Sequence, residues 1–539
     1  MRPRFRRAEP MTTFELVPDD EREGGSGVAP GEEHDDLRRL PLRERALARW
    51  RALSRRGRVA VAAGAAVVVL AVATATVAPG LLDARAERLR ADAIRGLPGA
   101  VEDLSEPLAE TWELPDGDGL VTLAGGLVLT TDGTSVAALD AGTGDEAWRR
   151  EVGTFPTCGP RGGITDDLAR PADVAVCLTG NPDDRTVTVL DAGGAVVGER
   201  SFGPARADAY DDGAPDGAPV VVPAGGGALA VVDGLSDATA PWPSDDLPDA
   251  GTLRALRADG WVDPTVRVED ALTGEVRGEA TLHLRAEDLG ACGMMQDDGE
   301  APELMTYPSV VASSSLVTLS VCGAAVLVTP RGTAIDVDPE GAWARPLADG
   351  GLVVAGEDGS TVLDDDGTVV ATVPGLVIPP LVDAEPGSSY LALAGMGDGA
   401  TGPPRLTSIG PDGGERWWSV VTDDFGGVLA RVDGVVVVQD GSGLVGVDAA
   451  TGDEIWDRDD LLRRSDDGSG EWVAGAVTDG TRLLVGVSGH GGGDRNRLVT
   501  LDVRDGTTLW EREQDGYLEG LLTIGGHVVA FAGAVRGLG

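Results

Sequence analysis

Lysine is absent from this 539-residue chain: all 44 basic residues are arginine, and 89 acidic residues bring the formal net charge to -45. A surface this acidic repels phosphate backbones, so the chain as a whole is a poor nucleic-acid binder. Cysteine is limited to four residues with no Cys-x-x-Cys among them, which argues against the common redox and zinc motifs. The four histidines (His34, His283, His490 and His527) are scattered without metal-ligand spacing. No Gly-x-Ser-x-Gly occurs, so His490-Gly491-Gly492-Gly493 reads as a flexible loop rather than an oxyanion loop. Aromatic residues make up only 4%, yet the 11 Trp outnumber 6 Phe and 4 Tyr, an imbalance that needs a structural reason.

What is present is a chain able to bury a core, at 42% hydrophobic residues, with 79 glycines that favour tight turns over a mostly helical fold. Residues 59–82 carry no charge, and Val59 to Val77 would span about 28 Å as a helix, close to the hydrocarbon thickness of a bilayer. Nine arginines between Arg38 and Arg58 precede this stretch, opposed only by Glu44. Basic residues stay cytoplasmic, which places the N-terminus inside and the C-terminal part outside. A buried core helix is one alternative. Another is a cleaved export signal, with Ser54-Arg55-Arg56 ahead of the stretch and Ala73-Thr74-Ala75 as a cleavage site, although Gly57-Arg58 departs from the apolar residues expected after the arginine pair. An uncleaved anchor is the reading taken. The expected organisation is a disordered, basic cytoplasmic tail over 1–57, a transmembrane helix over 58–82, a polar stalk over 83–107 and an extracytoplasmic domain over 108–539.

That last domain repeats. GLVLTTDGTSVAALDAGTGDEAW (Gly126–Trp148) aligns without a gap on GVVVVQDGSGLVGVDAATGDEIW (Gly434–Trp456), matching Asp140 to Asp448, Gly144 to Gly452 and Trp148 to Trp456. A third copy ends LDVRDGTTLW, with Asp502, Gly506 and Trp510 at the same spacing. Weaker copies have Gly278 where Trp belongs, or end at Trp418. Each unit reads as an apolar strand, an Asp-Gly hairpin turn, a returning strand, an Asp-x-x-Thr-Gly turn and a Trp opening the next strand. The indoles of Trp148, Trp343, Trp418, Trp456 and Trp510 are expected to wedge one unit against the next, which accounts for the Trp excess. Four-stranded sheets repeating at 40–50 residues predict an all-β fold, a β-propeller. Turn landmarks near 140, 191, 233, 270, 338, 364, 410, 448 and 502 predict seven or eight blades, with one or two landmarks inside insertions. Thr111-Trp112-Glu113-Leu114 is expected to pair with the C-terminal strands and close the ring.

The ALDAxTGxxxW unit resembles the pyrroloquinoline-quinone-like propeller repeat shared by quinoprotein dehydrogenases and by the non-enzymatic scaffold of the outer-membrane β-barrel assembly machine. The composition looks like that of a high-GC actinobacterial genome. The resemblance implies a quinoprotein-like ring but not an enzyme. In the dehydrogenases the quinone stacks between a Trp and a disulfide of adjacent cysteines, beside a calcium held partly by Asn. This chain has no Cys-Cys pair, and its two asparagines, Asn181 and Asn496, lie in apparent loops. No cofactor is therefore expected, with quinone and Ca²⁺ left open; carboxylates crowd loops such as Asp364-Asp365-Asp366, which read as solvated turns. Cys158, Cys177, Cys292 and Cys322 all lie on the exported side, and pairing 158 with 177 and 292 with 322 closes the shortest loops, expected to pin neighbouring blades. The functional expectation is a membrane-anchored, non-catalytic propeller that binds a protein or cell-envelope component. Its rivals are a membrane-bound quinone-dependent oxidoreductase and an envelope sensor signalling through the Arg-rich tail.

Overall fold

The computed structural model describes Ser54, Ala91 and residues 94–539 apart from 115–120, 161–169, 208–214, 216, 236–238, 242–247, 296–302, 307, 336–342, 357–358, 396–402, 423, 464–469, 490–495, 515, 517 and 532–533. The chain divides into a unit over 1–83 and a unit over 84–539, and the account below concerns the second. The expected tail (1–57) and transmembrane span (58–82) lie outside the described residues except for Ser54. Among the described residues no helix is long and apolar enough to cross a membrane.

The repeat builds four-stranded antiparallel meanders. In the blade over 425–458 the strands are Phe425–Val432, Val435–Asp440, Gly443–Asp448 and Glu454–Arg458. Asp433 (φ 51°) and Gly434 (φ 76°) both take the positive φ that a primed hairpin turn requires. Before the last strand, Asp448 Oδ1 accepts the amides of Ala450 (2.9 Å) and Thr451 (2.8 Å), and Gly452 turns the chain at φ 78°. First strands such as Val121–Leu123 are fully buried and line the axis, whereas fourth strands such as Glu146–Glu151 form the exposed outer edge.

Nine such sheets follow one another among the described residues. We number them blade 1 (121–151), 2 (157–203), 3 (220–281), 4 (309–335), 5 (343–373), 6 (376–420), 7 (425–458), 8 (471–514) and 9 (520–538 with 110–114). An apolar cluster fills each of the nine junctions between neighbours, including the junction of blade 9 with blade 1, so the ring is closed. Closure uses the expected pairing: Glu110–Leu114 runs antiparallel to Val535–Leu538, with Trp112 opposite Gly537.

Three expectations are corrected. The ring has nine blades, not seven or eight. Blade 4 turns on Thr329, whose hydroxyl caps Thr333 N at 3.1 Å, and blade 9 draws its fourth strand from the other end of the chain; neither carries an Asp-x-x-Gly landmark. The landmark at 233 lies inside blade 3, which an insertion splits. Second, the fold is not purely β. The helix Ala250–Asp259, capped by Asp249, a 3₁₀ turn Glu287–Ala291 and a three-stranded sheet of Thr239–Pro241, Gly293–Met295 and Glu303–Met305 are attached to blade 3. Third, the expected stalk joins the ring well before residue 108: Ala100, Val101, Leu104 and Leu108 are buried, and Val101 N donates to Thr478 O at 2.8 Å.

Neighbouring blades are joined by indoles. Trp112 Nε1 donates to Ala141 O (2.9 Å), Trp148 to Ala192 O (2.9 Å), Trp417 to Ala449 O (2.7 Å), Trp456 to Val503 O (2.8 Å) and Trp510 to Leu104 O (2.9 Å). In the first four joints the ring also covers the left-handed glycine of the next blade's turn (Gly144, Gly194, Gly452 and Gly506), where any Cβ would collide with it. The docking residue of blade 6 is Trp417, not Trp418. Its left-handed turn glycine is Gly413, so the count to the Trp begins one residue earlier, and a one-residue slip reverses the face. Trp418 points away from that joint, 47% exposed under Arg405 (4.6 Å). Trp343 begins the first strand of blade 5, so it is not in a joint position. Blades 2 and 3 have Gly198 and Gly278 in the Trp position. There Arg200 Nε reaches Ala271 O (3.1 Å) and Arg277 Nη1 reaches Pro330 O (3.1 Å).

Trp456 is 8% exposed and fills its joint. Trp456→Ala should therefore cost about 3–5 kcal/mol in equilibrium denaturation, while Trp418→Ala should stay within about 0.5 kcal/mol of the parent. Comparable losses for the two would remove the joint assignment.

Candidate functional site

A propeller's central channel is where a ligand would be sought; here the sequence carries chain segments into it, beside a cavity of about 510 Å³ lined by Ala100, Glu102, Thr122 and Thr523. After Leu376–Val377, Pro379 and Pro380 lack the amides needed to continue a ladder, so the chain leaves blade 6. It then lays Val382–Asp383 parallel along Ala430–Arg431, the innermost strand of blade 7. Parallel bridges cap three more inner edges: Ala100 on Thr478, Ala172 on Leu123 and Arg206 on Val220. Gly99, at φ 79°, sits so close to Val382 that a Cβ there would collide with the valine, and its amide donates to Thr523 Oγ1 at 3.0 Å. The two axial segments therefore abut.

Arg431 fixes this plug. It is 3% exposed, and Asp383 is 8% exposed. Arg431 Nε donates to Asp383 Oδ1 at 2.8 Å, Nη2 pairs with Oδ2, and Nη1 donates to Ser389 O (2.8 Å) and Ser389 Oγ (3.0 Å). A fork-on-carboxylate pair of this kind is strong and directional, and it commits both charges to structure. A narrow cleft beside it is lined by Asp349, Pro380, Pro386 and Tyr390, where burial and the Asp349 charge push the Tyr390 phenol above its ordinary range.

The expected site residues divide between these tasks. Asp140, Asp448 and Asp502 cap their turns, Gly144, Gly452 and Gly506 receive indoles, and Trp148, Trp456 and Trp510 supply them. Cys158 is bonded to Cys177 and Cys292 to Cys322. The first bond does not pin two blades: it ties opposed residues of adjacent strands within blade 2. The second ties the 3₁₀ segment of the insertion to the hairpin of blade 4, where Cys322 has φ 52°. Sequence reasoning missed the arginine two residues beyond Trp148, Trp456 and Trp510. Arg150 Nε and Arg458 Nη1 donate to Gly194 O and Gly506 O, each at 2.6 Å, and Arg512 reaches Leu108 O. The signal was Trp-x-Arg, which occurs four times, three of them at joint indoles and the fourth at Trp343-Ala344-Arg345.

These residues do not fit a quinone. The axis holds protein backbone, neither disulfide joins adjacent cysteines, and the Asn496 amide is consumed within blade 8 by Ser488 (2.9 Å) and Gly516. Among the described residues no group of His, Cys, Asp and Glu could hold a metal ion. Asp364 caps its own turn, and Asp365 and Asp366 pair with Arg331. His490 to Gly493 lie outside the described residues.

Residues 389–518, spanning most of blade 6 and blades 7 and 8, match a family model described as outer membrane protein assembly factor BamB. No curated protein matches the chain. Among solved structures, BamB from Moraxella catarrhalis is similar at 15% identity, over 80% of this chain and 99% of that one, with a TM-score of 0.36. The quinohemoprotein alcohol dehydrogenase ADHIIG from Pseudomonas putida HK5 follows at 14%, over 79% and 72%, with a TM-score of 0.31. Saccharomyces cerevisiae Sqt1 is similar at 9%, over 81% and 98%, with a TM-score of 0.33. The fold itself is a β-propeller, a fold that hosts catalysts and scaffolds alike.

Removing one partner of a buried ion pair leaves the other charge stranded. Arg431→Ala should cost about 3–5 kcal/mol in denaturant unfolding, and adding Asp383→Ala should recover part of that loss. An additive double variant would show that the pair does not hold the plug. Acid should also weaken the turns that the aspartates cap. The amide of Thr273 and the Arg277 guanidinium hold Asp270 at about 2, below the ordinary 3.8. A carboxylate depressed on folding stabilises the protein above its unfolded value, and that contribution is lost as pH falls from about 4 towards 2. In a titration of stability, Asp270→Asn should fall less steeply than the parent across this window; parallel curves would contradict the assignment.

Proposed function

We propose that this chain is a single-pass membrane protein, N-terminus inside, whose propeller stands outside the membrane as a non-catalytic scaffold for a protein or cell-envelope component. One observation carries the scaffold reading: chain segments, Val382–Asp383 locked by Arg431 and Gly99 against Val382, enter the axis where a propeller enzyme would hold its cofactor. With these segments in the axis, recognition of a partner falls to the faces and the rim. The match of 389–518 to the BamB family model supports the same reading. The uncharged stretch over 59–82 behind nine arginines supports the anchor and its orientation. The disulfides fit an oxidising compartment.

Two measurements test it. Protease added outside intact cells should digest the propeller and leave the N-terminal tail protected; the reverse pattern would discard the orientation. Quinone with Ca²⁺, added to the purified full-length chain, should give no saturable binding by calorimetry. Stoichiometric binding with dye-linked alcohol oxidation would establish the oxidoreductase instead.

A further inference from the structure

Eight blades carry a turn between their third and fourth strands, and in seven the turn glycine is covered by the preceding blade. Gly144 lies under Trp112, Gly194 under Trp148, Gly274 under Arg200, Gly332 against Arg277, Gly367 under Thr333, Gly452 under Trp417 and Gly506 under Trp456. Gly413 of blade 6 is the exception: among the described residues nothing lies within 4 Å of the position its Cβ would take. Its φ of 78° is that of Gly452, so the socket has the shape of the filled ones. What is missing is the filler. Ala371 of blade 5 pairs with Val362 just before the strand bulge, as Trp456 pairs with Gly446, so it occupies the indole position. It packs in the apolar cluster between blades 5 and 6, and therefore faces the socket. No described residue donates to Pro411 O, the counterpart of the Ala192 carbonyl that receives Trp148.

We propose that the rim site between blades 5 and 6, formed by Ala371, Pro411 and Gly413, is a receptor socket for a tryptophan side chain of a partner polypeptide. The ligand chemistry is taken from the molecule itself, in which the same turn accepts an indole over its glycine and a ring N–H at its carbonyl at 2.7–2.9 Å. Charge selects the partner. Asp412, Glu415 and one cation, Arg416, are exposed beside the socket and the chain carries -45, so the tryptophan should lie among arginines or lysines. Two copies of the chain would repel, which disfavours self-association through Trp418. This inference rests on the scaffold reading and names its partner's chemistry.

The test uses the full-length chain, a labelled Arg-Trp-Arg peptide and an Arg-Ala-Arg control, with Ala371→Trp to fill the socket from within. The parent should bind the Trp peptide about ten-fold more tightly than the control, a difference of about 1.4 kcal/mol. Ala371→Trp should abolish that preference and raise Tm, because its indole completes a joint. Equal binding of the two peptides by the parent, or a preference that survives Ala371→Trp, would overturn the proposal, as would a Tm lowered by Ala371→Trp through overpacking. A scaffold that grips its partner elsewhere would still capture it as the Ala371→Trp variant, which separates failure of the socket from failure of the scaffold reading.

Discussion

The ring depends on one contact: an indole from one blade lying over the left-handed glycine of the next, with its N–H on the neighbouring carbonyl. Each half needs the other. The glycine is required twice, for its positive φ and for the absence of a Cβ under the ring, and the indole supplies apolar area together with a polar edge that must find an acceptor when buried. The contact is local to a pair of blades, so the propeller behaves as a closed series of similar joints. One joint can lose its Trp without dissolving the ring. Blades 2 and 3 show this, because Arg200 and Arg277 reach the carbonyls that indoles would have taken.

Nine blades impose a second constraint. Every added blade widens the axis, and inner strands that face an open channel leave one edge of their ladders unpaired. The chain answers with short parallel additions on four of the nine inner edges, drawn from loops and from the segment before the first blade. Parallel pairing suits segments that cross the axis rather than return as hairpins. The Arg431–Asp383 pair follows from the same solution. A loop carried into the axis by two prolines has little apolar area to bury, and an ion pair with four hydrogen bonds holds it where packing alone would not.

The architecture was legible in the sequence because the repeat states its own joints. Asp140, Gly144 and Trp148 recur as Asp448, Gly452 and Trp456, and each performs in the fold the task its chemistry predicts. The ring closure was legible because the C-terminal strands lacked a Trp unit and Trp112 lay ahead of the first. Blade number was not, since blade 4 replaces Asp by Thr329 and blade 9 is split between the two ends of the chain. The Trp417–Trp418 pair misled because two indoles in succession leave the face to be set by which glycine, Gly413 or Gly414, turns left-handed. The plug was invisible for a different reason. It depends on residues 48 apart in sequence meeting across the axis, and no local pattern encodes that.

The joints without indoles are not scattered. They fall between blades 2 and 6, the sector that also carries the helical insertion and both disulfides. The association has a physical basis. Where an indole is missing, the blade edge loses its main wedge, and a covalent link elsewhere in the sector stabilises it by limiting the unfolded chain rather than by packing. Cys158–Cys177 stiffens blade 2 ahead of the first guanidinium joint, and Cys292–Cys322 ties the insertion to blade 4 beyond the second. Sequence freedom follows, because a sector held by cross-links can exchange wedge residues for surface ones. The uncovered Gly413 lies at the end of that sector, where the next indole, Trp417, resumes the series.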